Sequence, residues 1–149
     1  MGMDALFTAY YLPQARRLRE IRAVLPEIVK EYPEDPGGIL SVTQALLFAA
    51  DGKQAEAEAK IRTAAQKKAF GHFHHTAFGI ACAYAQMNKP QKAMEWLEQA
   101  AEAYPCYPAF ERAHGLDPLR KEPSFIAFLE RVKKKSDYYR AFVANQPLR

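Results

Sequence analysis

Residues 77–105 read AFGIACAYAQMNKPQKAMEWLEQAAEAYP, and this stretch decides the architecture. His74 to Met87 suits one helix, Asn88 and Lys89 turn the chain, and Pro90 opens a second helix that runs to about Tyr104. Pro105 and Pro108 then stop it. A turn this short forces the two helices to lie side by side and antiparallel. The same pattern stands 36 residues earlier. Ala45, Phe48, Ala57, Ile61 and Ala64 map onto Ala81, Tyr84, Ala93, Leu97 and Ala100, and Gly52 takes the turn position that Asn88 takes one step later. Two steps apart, Tyr32-Pro33 with Pro36 reappears as Tyr104-Pro105 with Pro108. A period in this range marks stacked supersecondary units.

Outward from that core, Asp4–Leu12 suits a short helix, and Pro13 is expected to open another carrying Leu18, Ile21, Leu25 and Ile28 on one stripe. Pro26 lies inside it as a candidate kink. The segment from Tyr32 to Gly38, with two prolines and two glycines, closes this unit. Next come a helix from about Ile39 to Ala50, a turn at Asp51-Gly52 and an alanine-rich helix from about Lys53 to Ala69, with a break at Gly71. After Pro108, a helix through Phe125, Phe128, Leu129 and Val132 is expected to cover the last apolar face of the stack. The boundaries fall at 1–36, 37–72, 73–108 and 109–149 of a single domain.

The chain has 149 residues, 49% hydrophobic and 26% charged, which suits a folded domain with its own core. No apolar stretch is long enough for a membrane span, and no basic region precedes an apolar one at the start as in a secretory signal. Cys82 and Cys106 have no spacing of a disulfide framework, pointing to a reducing, cytoplasmic setting. The net charge is +4. Arg16, Arg17, Arg19 and Arg22 cluster near one end, and Arg131, Lys133, Lys134, Lys135, Arg140 and Arg149 near the other. Such runs on helices read as solvated faces, and without a readout motif nucleic acid is disfavoured as a partner.

Residues 77–105 resemble a tetratricopeptide repeat. The family places a small residue midway along the first helix, a bulky one three later, small residues flanking a large one on the second helix, and a closing proline. Ala81, Tyr84, Ala93, Leu97, Ala100 and Pro105 match in order and spacing. The preceding unit departs at Ala69, where the proline would stand, and its step exceeds the family's roughly 34 residues; two extra residues are therefore placed near Phe70-Gly71. The first unit has Ile21 where a small residue belongs and reads as a degenerate pair or a cap. Neither good unit has the family's early aromatic, with Ser41 and Ala77 in its place. The tail from Asp117 resembles those that close repeat domains in bacterial multidomain regulators. The resemblance implies an all-α fold of antiparallel helix-turn-helix repeats, stacked as a short right-handed α-solenoid with a helical C-terminal cap.

In such a stack the first helices would line a concave face. Ile39, Val42, Thr43, Leu46, His75, Phe78, Cys82 and Gln86 would then form an apolar groove for a peptide or helix, with Leu46 and Phe78 as anchors. One alternative is that the C-terminal helix, with Tyr138, Tyr139, Phe142 and Val143, folds back into the groove. The chain would then be a self-association or structural module of a larger bacterial signalling protein or transcription regulator, with a homodimer as its signature. The start Met1-Gly2-Met3 is compatible with such an internal region. A subset of the family grips acidic chaperone tails through asparagine and lysine. Val42, Leu46, Phe78 and Cys82 stand at those points, so that partner is disfavoured.

No glycine-rich phosphate loop, nucleophile elbow or His-Glu-x-x-His motif occurs, and the chain reads as a non-enzyme without cofactor. The one metal-like pattern is His72, His74 and His75, with Cys82 two turns further on the face of His75. His72, His75 and Cys82 are the candidate ligands. Against them stands packing of His75 at the helix start with His72 and His74 in solvent, and the expectation is no metal. Glu111 and His114 at helical spacing read as a surface pair, and Trp96 as packing against a neighbouring unit.

Overall fold

The two turns one step apart share one backbone design in the computed structural model, which describes residues 4–14, 16–68 and 72–144. Gly52 and Asn88 both take left-handed conformations, with φ of 73° and 56°. Lys53 N–H donates to the Phe48 carbonyl and Lys89 N–H to that of Tyr84, each at 2.9 Å. Gly52 N–H reaches Ala49 and Asn88 N–H reaches Ala85, both at 3.0 Å. This paired pattern satisfies the carbonyls that a helix end leaves without donors. Glycine does so without a Cβ penalty, and asparagine is the side chain that best tolerates the same region.

These turns join α3 (Ile39–Ala50) to α4 (Gln54–Ala65), and α5 (Phe73–Gln86) to α6 (Pro90–Ala103). Before them come α1 (Asp4–Gln14) and α2 (Leu18–Glu31); after them come α7 (Tyr107–Arg112) and α8 (Pro123–Ala144). Short 3-10 turns lie at Pro36–Gly38 and His114–Leu119, and no strand occurs among the described residues. The fold is all-α.

Helix α3 packs on α4, α5 on α6, and α3 also packs on α5. The echoed small residues lie at these crossings: Ala45, Ala57, Ala64, Ala81, Ala93 and Ala100 are each no more than 2% exposed. Ile61 and Leu97, one step apart, are buried beside them. Small side chains let helix axes approach, and the large ones fill the spaces between. Phe125, Phe128 and Val132 of α8 join the same core, together with Phe110 of α7. A second cluster joins Ala9 of α1 and Ile21, Leu25 and Ile28 of α2 to Leu40 and Leu47 of α3.

Three local expectations change, the first being that α4 ends at Ala65, with residues 66–68 in a turn where helix was expected. Pro13 does not open the second helix; it lies inside α1, and α2 starts at Leu18. Helix α1 ends through a left-handed Arg16 and an Arg17 N–H bond to the Leu12 carbonyl, the same kind of stop that follows α3 and α5. Pro26 lies within α2, which continues across it, with its ring on the exposed side. The expectations at Ala69, Phe70 and Gly71, at Met1-Gly2-Met3 and at Arg149 lie outside the described residues.

The start of α3 is fixed by Asp35, whose carboxylate accepts from the N–H groups of Leu40 and Ser41 and from the Ser41 hydroxyl. An anion over the first turn of a helix is favourable on both hydrogen-bond and dipole grounds. Gly38 in the turn before has φ of 76°, and a Cβ there would stand 2.8 Å from both Cα and O of Ala64. That contact is with backbone and cannot swing aside. Gly38→Ala is therefore expected to cost at least about 2 kcal/mol, combining left-handed strain with overpacking. Urea denaturation of the two proteins measures it, and equal midpoints would refute the close α4 contact.

Candidate functional site

Most of the expected groove residues lie in the core. Val42, Thr43, Leu46, Phe78 and Cys82 are buried, Ile39 and His75 are half-buried, and only Gln86 is exposed. Helices α3 and α5 approach so closely that a methyl at Gly79 would stand 3.0 Å from a Val42 methyl. Over this pair lie two segments of the chain itself. Helix α1 packs on α3, and the His114–Leu119 turn packs on α5. At the second contact, a Cβ on Gly115 would lie 2.7 Å from the Cys82 sulfur, and Leu116 and Leu119 are buried. An Arg16–Asp117 ion pair links the two covering segments at the surface.

The first contact has a specific chemical origin. Pro13 has no N–H to offer the carbonyl four residues back, which is that of Ala9. The Thr43 hydroxyl of α3 supplies the donor, 3.0 Å from the Ala9 oxygen and 2.8 Å from the Ile39 oxygen of its own helix. Ala9 is fully buried, so a carbonyl left without a donor there would be costly.

Leu46 and Phe78 are thus buried where exposed anchors were expected, although Phe78, like His75, also lines a cavity. Phe78 packs edge-on to Phe110, with centroids 5.6 Å apart. The segment expected to fill the face is corrected too. Tyr138, Tyr139, Phe142 and Val143 of α8 are 66%, 50%, 56% and 69% exposed. Helix α1 takes the place foreseen for them. Trp96 does pack between elements, 6.2 Å from the Phe73 ring and beneath the Lys68 ammonium. Glu111 accepts from the Tyr107 hydroxyl, while His114 faces Asp117, so the expected Glu111–His114 pair does not form.

Where α1, the start of α5 and the α6–α7 connection meet, a cavity of about 590 Å3 is lined by Tyr10, His72, His74, His75, Tyr104 and Cys106, among others. His72 is exposed, and His74 and His75 are half-buried, so His74 does not simply meet solvent as expected. Burial, then the charges of the neighbouring imidazoles, lower His75 to about 4. Burial and His72 also lower His74. Tyr10, largely enclosed by the fold, has its hydroxyl pushed up by burial, as does the Cys82 thiol. Cys82 lies in the core and outside the histidine group, which corrects its pairing with His72 and His75 as candidate ligands. Tyr10 carried no signal in the sequence, because its place at the cavity depends on how α1 docks, and the recurrence of Tyr104 with Pro105 marked the end of a helix pair rather than a site.

Comparison with protein-family models, with curated proteins and with solved structures finds no match to this chain. Among the described residues no helix is long and apolar enough to cross a membrane.

Thr43→Val keeps the shape of the side chain and removes the donor, and is expected to destabilise the chain by about 1–2 kcal/mol. In a Pro13→Ala background the new N–H can serve the Ala9 carbonyl within α1. The cost of Thr43→Val should then shrink by at least about 0.5 kcal/mol, a coupling that a double-mutant cycle in urea resolves. Strict additivity would disprove the link between Pro13 and Thr43.

Proposed function

We propose that this chain is a non-catalytic protein-interaction module of tetratricopeptide-like design, that its docking surface is the exposed end of α8, and that its partner is an acidic amphipathic peptide or helix. The pairing of α3 with α4 and of α5 with α6, with buried alanines recurring at a 36-residue step, supports the design. The observation that carries the docking surface is the α8 stripe. Tyr138, Tyr139, Phe142 and Val143 all stand at least half exposed on a 22-residue helix whose first half is anchored by Phe125, Phe128 and Val132. Positions i, i+1, i+4 and i+5 share one helix face. Contiguous exposed apolar side chains of this size mark interaction sites. Beside the stripe runs a groove of about 730 Å3, to which Tyr104, Pro105, Pro108, Tyr139 and Val143 contribute.

Charge selects the occupant. Lys133, Lys134, Lys135 and Arg140 are exposed around the stripe; Lys133 pairs with Asp137 and Glu102 lines the groove, which leaves Lys134, Lys135 and Arg140 as the basic excess. An acidic partner gains from this field, whereas two copies of α8 would bring like charges together. The buried, protonated Cys82 thiol supports a non-catalytic reading, since the thiolate is the nucleophile. Two free cysteines suit a reducing, cytoplasmic setting. The covered inner face favours one second reading, a structural or self-associating module of a larger bacterial regulator.

Fluorescence anisotropy with a labelled helical Glu/Leu peptide, and with its Lys/Leu counterpart, tests the proposal on the full chain. The acidic peptide is expected to bind and the basic one to fail. Tyr139→Ser/Phe142→Ser, which leaves charge unchanged, should weaken binding at least about tenfold, equivalent to ~1.4 kcal/mol. Equal binding of the two peptides, or no effect of the double variant, would sink it. A concentration-dependent dimer in sedimentation, broken by the same variant, would assign the stripe to a second copy instead.

A further inference from the structure

The imidazole ligand atoms of His72, His74 and His75 lie within 4.8 Å of one another. Their spacing alone does not bring this about, since positions i and i+2 of a regular helix point about 200° apart. They converge because His72 is not helical. It is the residue before α5, with φ of −108° and ψ of 27°, and its ring turns back over the first helical turn. There it stacks with His75 at 6.0 Å between centroids and stands 5.8 Å from His74, while His74 and His75 are 4.1 Å apart.

We propose that His72, His74 and His75 form a binding site for one borderline divalent cation, Zn2+ in the first instance. Three imidazole nitrogens suit Zn2+, Cu2+ and Ni2+, and among the described residues no carboxylate lines the cavity to favour Mg2+ or Ca2+. With Zn–N bonds of about 2.0–2.1 Å, tetrahedral ligands stand about 3.4 Å apart, so the rings need to close by little more than ~1 Å, shared between them. His72 is exposed and the other two are half-buried, so side-chain rotation suffices. Three protein ligands leave a fourth position for water or an exogenous group.

The neighbourhood suits a metal that braces the fold at a junction. Tyr10 of α1 packs edge-on to His75 at 4.8 Å, and Tyr104, just after α6, stands 5.4 Å from His74. An ion held at the start of α5 would fix the rings against which both tyrosines pack. Cys106 lines the same cavity but is not one of the clustered groups, and the site does not require it.

The test is calorimetric titration of Zn2+ into untagged, chelator-treated full chain near neutral pH, with elemental analysis after desalting. One equivalent per chain is expected. His72→Ala, at an exposed position, and His74→Gln should each weaken binding at least about 100-fold, beyond the roughly 10–100-fold cost of losing a group that merely supports a ligand. Cys106→Ser should leave affinity unchanged, and circular dichroism should show the same helicity in every variant. Less than about a tenth of an equivalent in the wild type overturns the proposal. Wild-type affinity in both histidine variants overturns it too, as does loss of binding in Cys106→Ser alone.

Discussion

A single missing N–H organises much of this molecule. Pro13 withholds the donor that Ala9 needs, and Thr43 answers from α3. A helix with all its backbone groups satisfied internally could slide along its neighbour at little cost. One with a buried orphan carbonyl can sit only where a donor waits. This bond, whose proton Thr43 shares with the Ile39 carbonyl, favours one register of α1 on α3, in which Ala9 joins the cluster of Ile21, Leu25, Leu40 and Leu47. The same docking carries Tyr10 to the His75 ring and leads the chain on to the Arg16–Asp117 ion pair.

Why α1 rather than α8 covers the inner face follows from composition. From Asp4 to Gln14 the sequence contains one charged residue, Asp4 at its very start. From Lys133 to Val143 it contains five, among them Lys134 and Lys135 directly before the aromatic stripe. Taking ions out of water costs several kcal/mol each unless they are paired. Both segments offer aromatic surface, but only α1 offers it without that penalty. Helix α8 gives Phe125, Phe128 and Val132 to the core, keeps Glu130 and Arg131 on its exposed side, and holds its more heavily charged half at the surface.

The repeat pairs were legible because helix crossings constrain residue size. A crossing tolerates Ala45 or Ala81 and little larger, so the requirement prints itself on the sequence at every step. The turns after α3 and α5 were legible for a similar reason, since glycine and asparagine take such conformations most readily, whereas the like stop at Arg16 carried no such mark. The cover of the inner face was not. Val42, Leu46 and Phe78 look the same whether they await a partner or lie under α1, because apolar side chains report burial and not the identity of what buries them. The histidine cluster was half legible: the spacing drew notice to His72 and His75. The inclusion of His74 and the exclusion of Cys82 depend on the non-helical backbone of His72 and on the Gly115 contact.

The covered face also bears on where a partner can gain affinity. A ligand for the α3–α5 surface must first displace α1, so its apparent affinity falls by the fraction of molecules in which α1 is undocked. Even a modest docking free energy of about 2.7 kcal/mol leaves that fraction near 1% and weakens such a ligand about a hundredfold. The α1 helix also competes at high effective concentration, because it is tethered to α3 through α2. Nothing of the kind stands in front of Tyr139 and Phe142, which are already exposed on a helix anchored at its other end. For equal intrinsic contacts, a partner would therefore engage the exposed end of α8 before the covered face.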